Sequence, residues 1–411
     1  MSNQMPSVED NADRLSPVGG GGPSAPVPFR ARLRAWGARI RALPKPAKVT
    51  LLVLAALLAY ALPILNPPLI STPKTDFGGV LFIVSVYVLV ALGLNVVVGY
   101  AGLLDLGYVG FYAIGAYVVA VLTSQHASWP WLATIPVAVV VTMLSGVVLG
   151  APTLRVRGDY LAIVTLGFGE IIRLTAINLE WLGAARGIPK VGKPPSIEGE
   201  VVGGVPQGLF QVPRLDWSTG VPLLDTAHQS KFLVFGVIDI VPYYWLALTV
   251  IILVLVADTL IKNSRVGRSW EATREDEDAA ELMGVPTFKF KLLAFMMGAF
   301  VGGLAGSLFA GRQGFVSPQS FPLLLSILFI AAVVVGGQGN RWGAIVGAVI
   351  VGYLPERFRG FEEWRVLVFG LALMVLAIYR PQGILPPRRR AQARTLSREL
   401  DQLEGEEAAG V

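Results

Sequence analysis

Glu170 and Arg173 are charged residues within the apolar run 160–180. Because they are three residues apart, they would share one face of a helix. A charged side chain inside a bilayer is costly unless it is paired or hydrated, so such residues are candidates for a pathway or a proton relay through a membrane. A structural ion pair that fixes the helix explains them equally well. The two residues therefore predict either the wall of a pathway or a packing contact.

A glycine-rich stretch, 99–110, interrupts the apolar runs 78–99 and 103–124. Glycines allow the backbone to unwind, and unwound backbone within a bilayer is tolerated only where it lines a cavity or is buried in protein. The alternative is a simple reversal between two helices, in which Asp105 is an exposed charge at a helix N terminus. Together with the charged pair, the candidates for a translocation path are Asn95, Gly99, Gly102, Asp105, Gly107, Glu170 and Arg173.

A charged insert, residues 262–290, separates two long apolar runs. Its stretch 265–284 is predicted to form one short helix that ends at Gly284, because glycine adopts the left-handed turn that stops a helix. Small Ala279 and Ala280 would let a partner approach closely. We interpret the insert as a docking element for another protein; a solvated loop whose acids and bases pair with one another is the alternative.

Composition excludes several classes of protein. The chain has 411 residues, of which 54% are hydrophobic and 15% charged, whereas soluble domains carry about 25% charged residues. It contains no cysteine, which excludes disulfides, thiolate metal sites and a cysteine nucleophile. His126 and His228 are far apart in the sequence and predict no metal site. A phosphate-loop motif for nucleotide hydrolysis is absent, and no catalytic constellation stands out, so we predict no enzyme.

Repeated apolar runs predict the architecture. At 1.5 Å per residue, a run of about 20 residues crosses the hydrocarbon core of a bilayer. The expected fold is therefore all-α: a polytopic integral membrane protein with about 8–10 transmembrane helices. The runs 160–180 and 342–356 could instead be re-entrant, because the first is charged and the second is short. The predicted spans are 49–65, 78–99, 103–124, 131–151, 160–180, 241–261, 291–311, 321–337, 342–356 and 364–380.

Basic residues near the ends of certain runs predict the orientation, since cytoplasmic loops carry an excess of Lys and Arg. They lie before residue 49, at 155–157, in the insert and at 388–390. Alternation of the spans puts these segments on one side, so both termini are expected to be cytoplasmic. The predicted divisions are a disordered basic cytoplasmic tail (1–48), a transmembrane domain (49–386) with an extracytoplasmic loop (181–240) and a cytoplasmic loop (262–290), and a cytoplasmic C-terminal tail (387–411).

Several stretches between residues 80 and 386 resemble the LivM-type permease of the branched-chain amino-acid ABC importer family. They include Gly93-Leu-Asn-Val-Val-Val-Gly99, Gly102-Leu-Leu-Asp-Leu-Gly107, the stretch 154–173 and Arg380-Pro-Gln-Gly-Ile-Leu-Pro386. Asp278-Ala-Ala, followed after three residues by Gly284, is similar to the acid-Ala-Ala-x-x-x-Gly motif of ABC importer permeases. The chain departs from that motif after Gly284, where it lacks the usual Ile-x-Leu-Pro ending.

This resemblance implies a permease subunit in a bacterial inner (plasma) membrane, surrounded by membrane lipid and without a nucleic-acid partner. It implies a second homologous permease, two ATP-binding subunits that hold ATP and Mg, and an extracytoplasmic substrate-binding protein. No cofactor is expected in this chain. Permeases for urea or short amides share much of the pattern and remain an alternative, as does an ATP-independent secondary transporter with Glu170 and Arg173 as its relay. The predicted ATPase-coupling residues are Glu271, Arg274, Asp278, Ala279, Ala280 and Gly284.

Overall fold

The structure is a computed structural model. It describes residues 44–68, 70, 76–124, 127–154, 159–196, 198–202, 205–208, 211–216, 223–231, 233–236 and 239–357, with isolated positions between 367 and 385. The contacts divide the chain into residues 1–59 and 60–411. Helix α1 spans Lys45–Leu65. The predicted tail 1–48 lies mostly outside the described residues, as does the tail 387–411.

Helices make up most of the described part of residues 60–411. A π-helical segment, Asn95–Tyr100, continues α2 directly. The helices are α2 Phe77–Leu94, α3 Tyr108–Thr123, α4 Trp131–Thr153, α5 Asp159–Asn178, α6 Val241–Lys262, α7 Arg265–Glu275, α8 Glu277–Leu282, α9 Thr287–Gln313, α10 Leu323–Gly336 and α11 Arg341–Arg357.

The predicted all-α membrane architecture is confirmed. Among the described residues, six helical segments are long and apolar enough to cross a membrane, and two shorter apolar helices lie at Val49–Leu65 and Tyr108–Thr123. The run 160–180 forms a continuous helix of 20 residues, whereas 342–356 forms a helix of 17, shorter than the about 20 residues of a typical span. The run 364–380 lies mostly outside the described residues. The six segments are Phe77–Tyr100, Trp131–Thr153, Tyr160–Asn178, Val241–Lys262, Thr287–Gln313 and Pro318–Gly336.

Helix α9 lies at the centre of the packing, where it contacts α3 and α4 along most of its length. Small residues make this possible, because they let helix backbones approach one another. A Cβ atom added at Gly115 of α3 would lie 2.5 Å from the carbonyl oxygen of Gly303 in α9. One at Gly306 would overlap the carbonyl oxygen of Tyr112. The two helices therefore touch through their backbones.

Several glycine pairs spaced four residues apart in the sequence lie at helix packing contacts. Gly146 and Gly150 of α4 face α9, and Gly298 and Gly302 of α9 face Val97 and α3. Gly343 and Gly347 of α11 press against the backbone of α10 at Gly336 and Ala332. Close helix contacts thus account for these glycines without any chemistry.

Short strands lie at the end of the fold opposite the insert. The strand β1 pairs with β6 in antiparallel register, with Ile188 opposite Val316. The described part of the predicted loop 181–240 also contains two antiparallel hairpins, β2–β3 and β4–β5. These small ladders were not predicted. The strands are β1 Ile188–Pro189, β2 Glu198–Val202, β3 Val205–Gly208, β4 Gln211–Asp216, β5 Leu223–Lys231 and β6 Phe315–Val316.

Replacing Gly115 with alanine is expected to lower the free energy of unfolding by about 2 kcal/mol, the usual cost of overfilling a tight contact. The added methyl group would meet backbone, which cannot rotate away, only 2.6 Å from the Gly303 Cα. Gly167→Ala is the matched control, because a Cβ atom there has nothing within 4 Å. Its helix propensity should stabilise the chain by up to about 1 kcal/mol. Thermal unfolding in detergent measures both variants, and equal melting temperatures would contradict the packing argument.

Candidate functional site

The insert begins with a firmly held helix. The Ser264 hydroxyl caps α7 by accepting a hydrogen bond from the Val266 N–H at 3.2 Å, a preferred role for serine at this position. Trp270, a residue of α7, is fully buried. Its indole N–H donates to the Phe290 carbonyl oxygen at 2.6 Å. Helix α7 is therefore attached to the start of α9.

The prediction of one helix over 265–284 is wrong, since the structure has two. Asp276 adopts an extended conformation, with φ −154° and ψ 113°, and ends α7. Its carboxylate then accepts a hydrogen bond from the Ala279 N–H at 3.0 Å, so Asp276 is the N-cap of α8. Aspartate is a strong N-cap residue, and Glu277 and Asp278 in the first turn add favourable charge at the positive end of the helix.

Helix α8 ends as the sequence predicts, at a left-handed glycine. Gly284 has φ +83°, and its N–H donates to the Glu281 carbonyl while the Val285 N–H donates to that of Ala280. These two bonds form a Schellman motif. Just before this turn, Leu282 is 89% exposed and Met283 85% exposed. The end of α8 therefore presents two large apolar side chains to the exterior.

The back of α8 is tied to α9. The Lys291 ammonium pairs with the Glu277 carboxylate at 2.5 Å, and Lys291 is buried. The Thr287 hydroxyl donates a short hydrogen bond to the Glu281 carboxylate. A displacement of the exposed end of α8 would therefore act directly on α9.

The structure separates the six predicted coupling residues by exposure. Asp278, Ala279 and Gly284 are exposed, Glu271 is half-buried, and Ala280 is buried on the inner face of α8. Arg274 points away from the exposed end of α8. Its guanidinium donates a short hydrogen bond through Nη1 to the carbonyl oxygen of Gly99. Their role in coupling stays a prediction, but Arg274 joins the two parts of the molecule that the sequence singled out.

The glycine-rich interruption is a structural break, which we define as residues 95–107. Within it, α2 passes into a π-helix, the Ala101 N–H donating to Val96 and the Leu103 N–H to Val97. Short π-helical segments are frequent at functional sites. The Asn95 side-chain oxygen accepts a hydrogen bond from the Gly339 N–H at 2.9 Å, which connects the break to the turn between α10 and α11.

Side chains from two other helices bind the unwound backbone. The Thr165 hydroxyl of α5 accepts from the Leu106 N–H at 3.0 Å. The Ser326 hydroxyl of α10 donates to the Leu106 carbonyl at 2.5 Å and accepts from the Val109 N–H at 3.3 Å. Asp105 accepts from the Gly107 N–H at 2.9 Å. These contacts supply the partners that a helix would have supplied.

Most of the break is buried within the subunit, whereas Gly102 and Leu104 are exposed. Asn95 is 1% exposed and Asp105 is 0% exposed, so Asp105 is not the exposed terminal charge of the simple-reversal alternative. Backbone that leaves the helix at membrane depth is tolerated when it is buried in protein, and here it is. The structure does not place Asn95 or Asp105 on an open surface, and their role in a path stays a prediction.

A charged cluster beside the break was missed from the sequence. Asp258 in α6 is buried and accepts from the Tyr100 hydroxyl at 3.2 Å. Arg341 at the start of α11 lies 3.4 Å from the same carboxylate. Lys262 lies over the Tyr100 ring and donates to the Gly339 carbonyl at 3.3 Å. Asp258 is a lone acid within an apolar run, and that signal could have flagged it.

The two charged residues of α5 form the predicted pair on one face. The Arg173 Nε lies 3.0 and 3.1 Å from the two carboxylate oxygens of Glu170. Both side chains are about one-third exposed, at 30% and 33%. The pair borders an exposed face of α5 that has Gly167 at its centre. The large apolar side chains of this face are Tyr160, Ile163, Val164, Ile171 and Leu174.

Comparison with known families gives a match over residues 77–378 to the family described as "Branched-chain amino acid transport system / permease component". The chain belongs to this family. The match includes the break, the insert and the α5 pair. No solved structure matches the chain.

Curated relatives agree with the family assignment. The chain is 39% identical to the high-affinity branched-chain amino acid transport system permease protein LivM of Salmonella typhimurium, over 82% of this chain and 75% of the relative. The LivM protein of Escherichia coli K12 is also 39% identical, with the same coverage. The permease protein LivH of Escherichia coli K12 is 26% identical over 73% of this chain and 91% of the relative. This chain is therefore a transport subunit, as its resemblance to the LivM-type permeases led us to expect.

Proposed function

We propose that this permease subunit imports branched-chain amino acids and is driven by separate ATP-binding subunits. The transport activity named for the LivM and LivH relatives supports the substrate class. The observation that carries the ATP-driven mechanism is the insert, in which a fixed helix ends in exposed Leu282 and Met283. The sequence has no phosphate-loop motif, so ATP and Mg would be held by the partner subunits.

The exposed end of α8 is the proposed docking point. Leaving two large apolar side chains in water is unfavourable, and burying them against a partner removes that cost at about 1.5–3 kcal/mol per side chain. Exposed Asp278 and Ala279 lie one turn earlier in α8. Because Lys291 and Thr287 hold α8 on α9, a movement of the docked ATPase would displace α9 and the helices packed on it. One ATP-binding subunit would dock here and another on the second permease.

The exposed face of α5 is the proposed wall of the substrate passage, shared with a second homologous permease. A partly exposed Glu–Arg pair in the middle of a span would be poorly placed against lipid. Gly167 leaves open space at the centre of the face, and small residues allow another helix to approach closely. A charged pair beside apolar side chains also matches an amino acid, which has a zwitterionic head and, in this substrate class, an aliphatic side chain.

The remaining assignments concern the sides of the membrane. We place the insert and both termini in the cytoplasm of a bacterial inner membrane, as the distribution of basic residues favours. The β1–β6 ladder and the hairpins would then face the exterior, where a substrate-binding protein would deliver the amino acid.

Uptake by the complex reconstituted in proteoliposomes tests the substrate class. With the binding protein and the ATP-binding subunits present, we expect ATP-dependent uptake of radioactive leucine. Unlabelled isoleucine and valine should reduce it at least tenfold when present at a hundredfold excess, while urea and acetamide should have no effect. Inhibition by the amides and not by the amino acids would contradict the proposed substrate. Uptake by this chain alone, driven by an ion gradient, would contradict the ATP-driven mechanism.

Cysteine labelling tests both the sidedness and the docking point, since the natural chain has no cysteine. In Leu282→Cys, a membrane-impermeant maleimide should react only from the cytoplasmic side, and bound ATP-binding subunits should slow the reaction at least fivefold. Trp181→Cys is the control. Trp181 is 58% exposed and follows α5 at its far end, so it should react only from the exterior and without protection. Labelling of Leu282→Cys from outside, or equal rates with and without ATPases, would contradict the assignment.

Gly167→Trp tests the proposed role of α5. The large side chain enters open space in the isolated chain, so its melting temperature should stay near that of the wild type. In the complex it would hold the second permease away, and co-purification of that subunit should fall at least tenfold, equivalent to about 1.4 kcal/mol. Val148→Trp places the same bulk on another exposed apolar position and should assemble normally. Normal assembly of Gly167→Trp would contradict this interface.

A further inference from the structure

We infer that Arg274 is a positioning residue that transmits movement of the insert to the break at residues 95–107. This inference rests on the proposed function, because it assumes that a partner moves the insert. Arg274 lies in α7, one residue before the last residue of that helix. Its guanidinium nevertheless binds the backbone of a segment 175 residues earlier in the sequence.

The site around Arg274 is shaped by positions without side chains. A Cβ atom at Gly102 would lie 2.7 Å from the Arg274 Cγ, and one at Gly339 would lie 2.8 Å from its Nη1. Gly102 also has φ +74°, a conformation that side chains disfavour. The stem of Arg274 therefore passes against Gly102, and its guanidinium lies between the break and the turn that precedes α11.

The insert end of this connection is rigid. Helix α7 is fixed by buried Trp270, which donates to the Phe290 carbonyl. Thr273, next to Arg274, is also buried and donates to the Ser269 carbonyl at 2.8 Å. Arg274 is therefore expected to move with the insert as one body.

The break is the deformable end. In a π-helix the backbone is less regular than in an α-helix, and such segments often mark functional adjustments. The Gly99 carbonyl bound by Arg274 is within this segment. From Gly99 the break continues to Leu106, whose N–H donates to the Thr165 hydroxyl of α5. The Cα of the next residue, Gly107, packs against the Thr165 carbonyl. A displacement at Arg274 thus has a continuous route of contacts to the helix that carries Glu170 and Arg173.

Spatial continuity alone does not demonstrate coupling, so the test needs a readout of the break itself. Leu104 lies in the break and is 38% exposed, so Leu104→Cys in the cysteine-free chain is a suitable reporter. The complete complex carrying it would be labelled with a small maleimide, first without nucleotide and then trapped with ATP and vanadate. We expect the labelling rates in the two states to differ at least threefold. Equal rates would overturn the inference, because the break would not respond to the ATPases.

Arg274→Ala in the reporter complex should abolish this difference in labelling. ATP-dependent leucine uptake should fall at least tenfold, while the ATP-binding subunits remain bound and still hydrolyse ATP. Arg274→Lys, which keeps a cation on a long side chain, should restore part of the labelling difference and part of the uptake. Arg186→Ala, an exposed arginine at the opposite end of the fold, is the control for loss of an arginine. The inference would be overturned if both the labelling difference and the uptake of Arg274→Ala stayed within twofold of the values for Arg186→Ala.

Gly102→Ala tests the connection from the other side and remains informative if Arg274→Ala does not fold. Its methyl group would displace the Arg274 stem, so it should reproduce the uncoupled behaviour. Gly314→Ala is matched in backbone strain, since Gly314 has φ +66° but open space around its Cβ position. It should transport normally. Equal transport by Gly102→Ala and Gly314→Ala would contradict the inference, whereas loss of ATP-dependent uptake in the unmodified complex would instead contradict the proposed function.

Discussion

Unwound backbone within a bilayer needs hydrogen-bond partners from the protein, because lipid supplies none. Between α2 and α3 this requirement is met by side chains, with Thr165 and Ser326 on either side of Leu106 and Arg274 on Gly99. These three side chains come from α5, α10 and α7. The break therefore fixes the positions of three helices relative to one another, and none of them can shift without exposing a backbone group or moving the break.

Glycine contacts determine which movements remain possible. Where backbones touch, as at Gly115 and Gly303 or at Gly107 and Thr165, no side chain lies between the helices to rearrange. Such helices move together or not at all. Helix α9 is packed this way against α3, and its first turn, from Thr287, lies within the insert. A partner that displaces the insert would consequently act through two routes, directly on α9 through Lys291 and on the break through Arg274.

Local chemistry explains what the sequence could predict. The apolar runs predict membrane-spanning helices, and Gly284 predicts the end of α8. The spacing of three residues predicts the Glu170–Arg173 pair. The division of the insert could not be predicted, because aspartate is tolerated within a helix and is also a strong cap. No residue near Asp276 in the sequence indicates whether it lies within a helix or caps one. The cluster of Asp258 with Tyr100 and Arg341 joins positions far apart in the chain, so only the packing of α6, α11 and the break reveals it.

Arg274 shows most clearly how a residue's neighbours in sequence can mislead. It lies four residues before Asp278, in a charged stretch, and sequence alone places it among the contacts of a docking surface. The cap at Asp276 starts a new helix, so that α8 presents Leu282 and Met283 outward while α7 directs Arg274 inward. Arginine suits this inner position because its long stem reaches between helices and its guanidinium offers several donors to backbone carbonyls. The N-cap at Asp276 thus gives the short insert two different faces, exposed apolar side chains on α8 and an arginine on α7 that binds the backbone at Gly99.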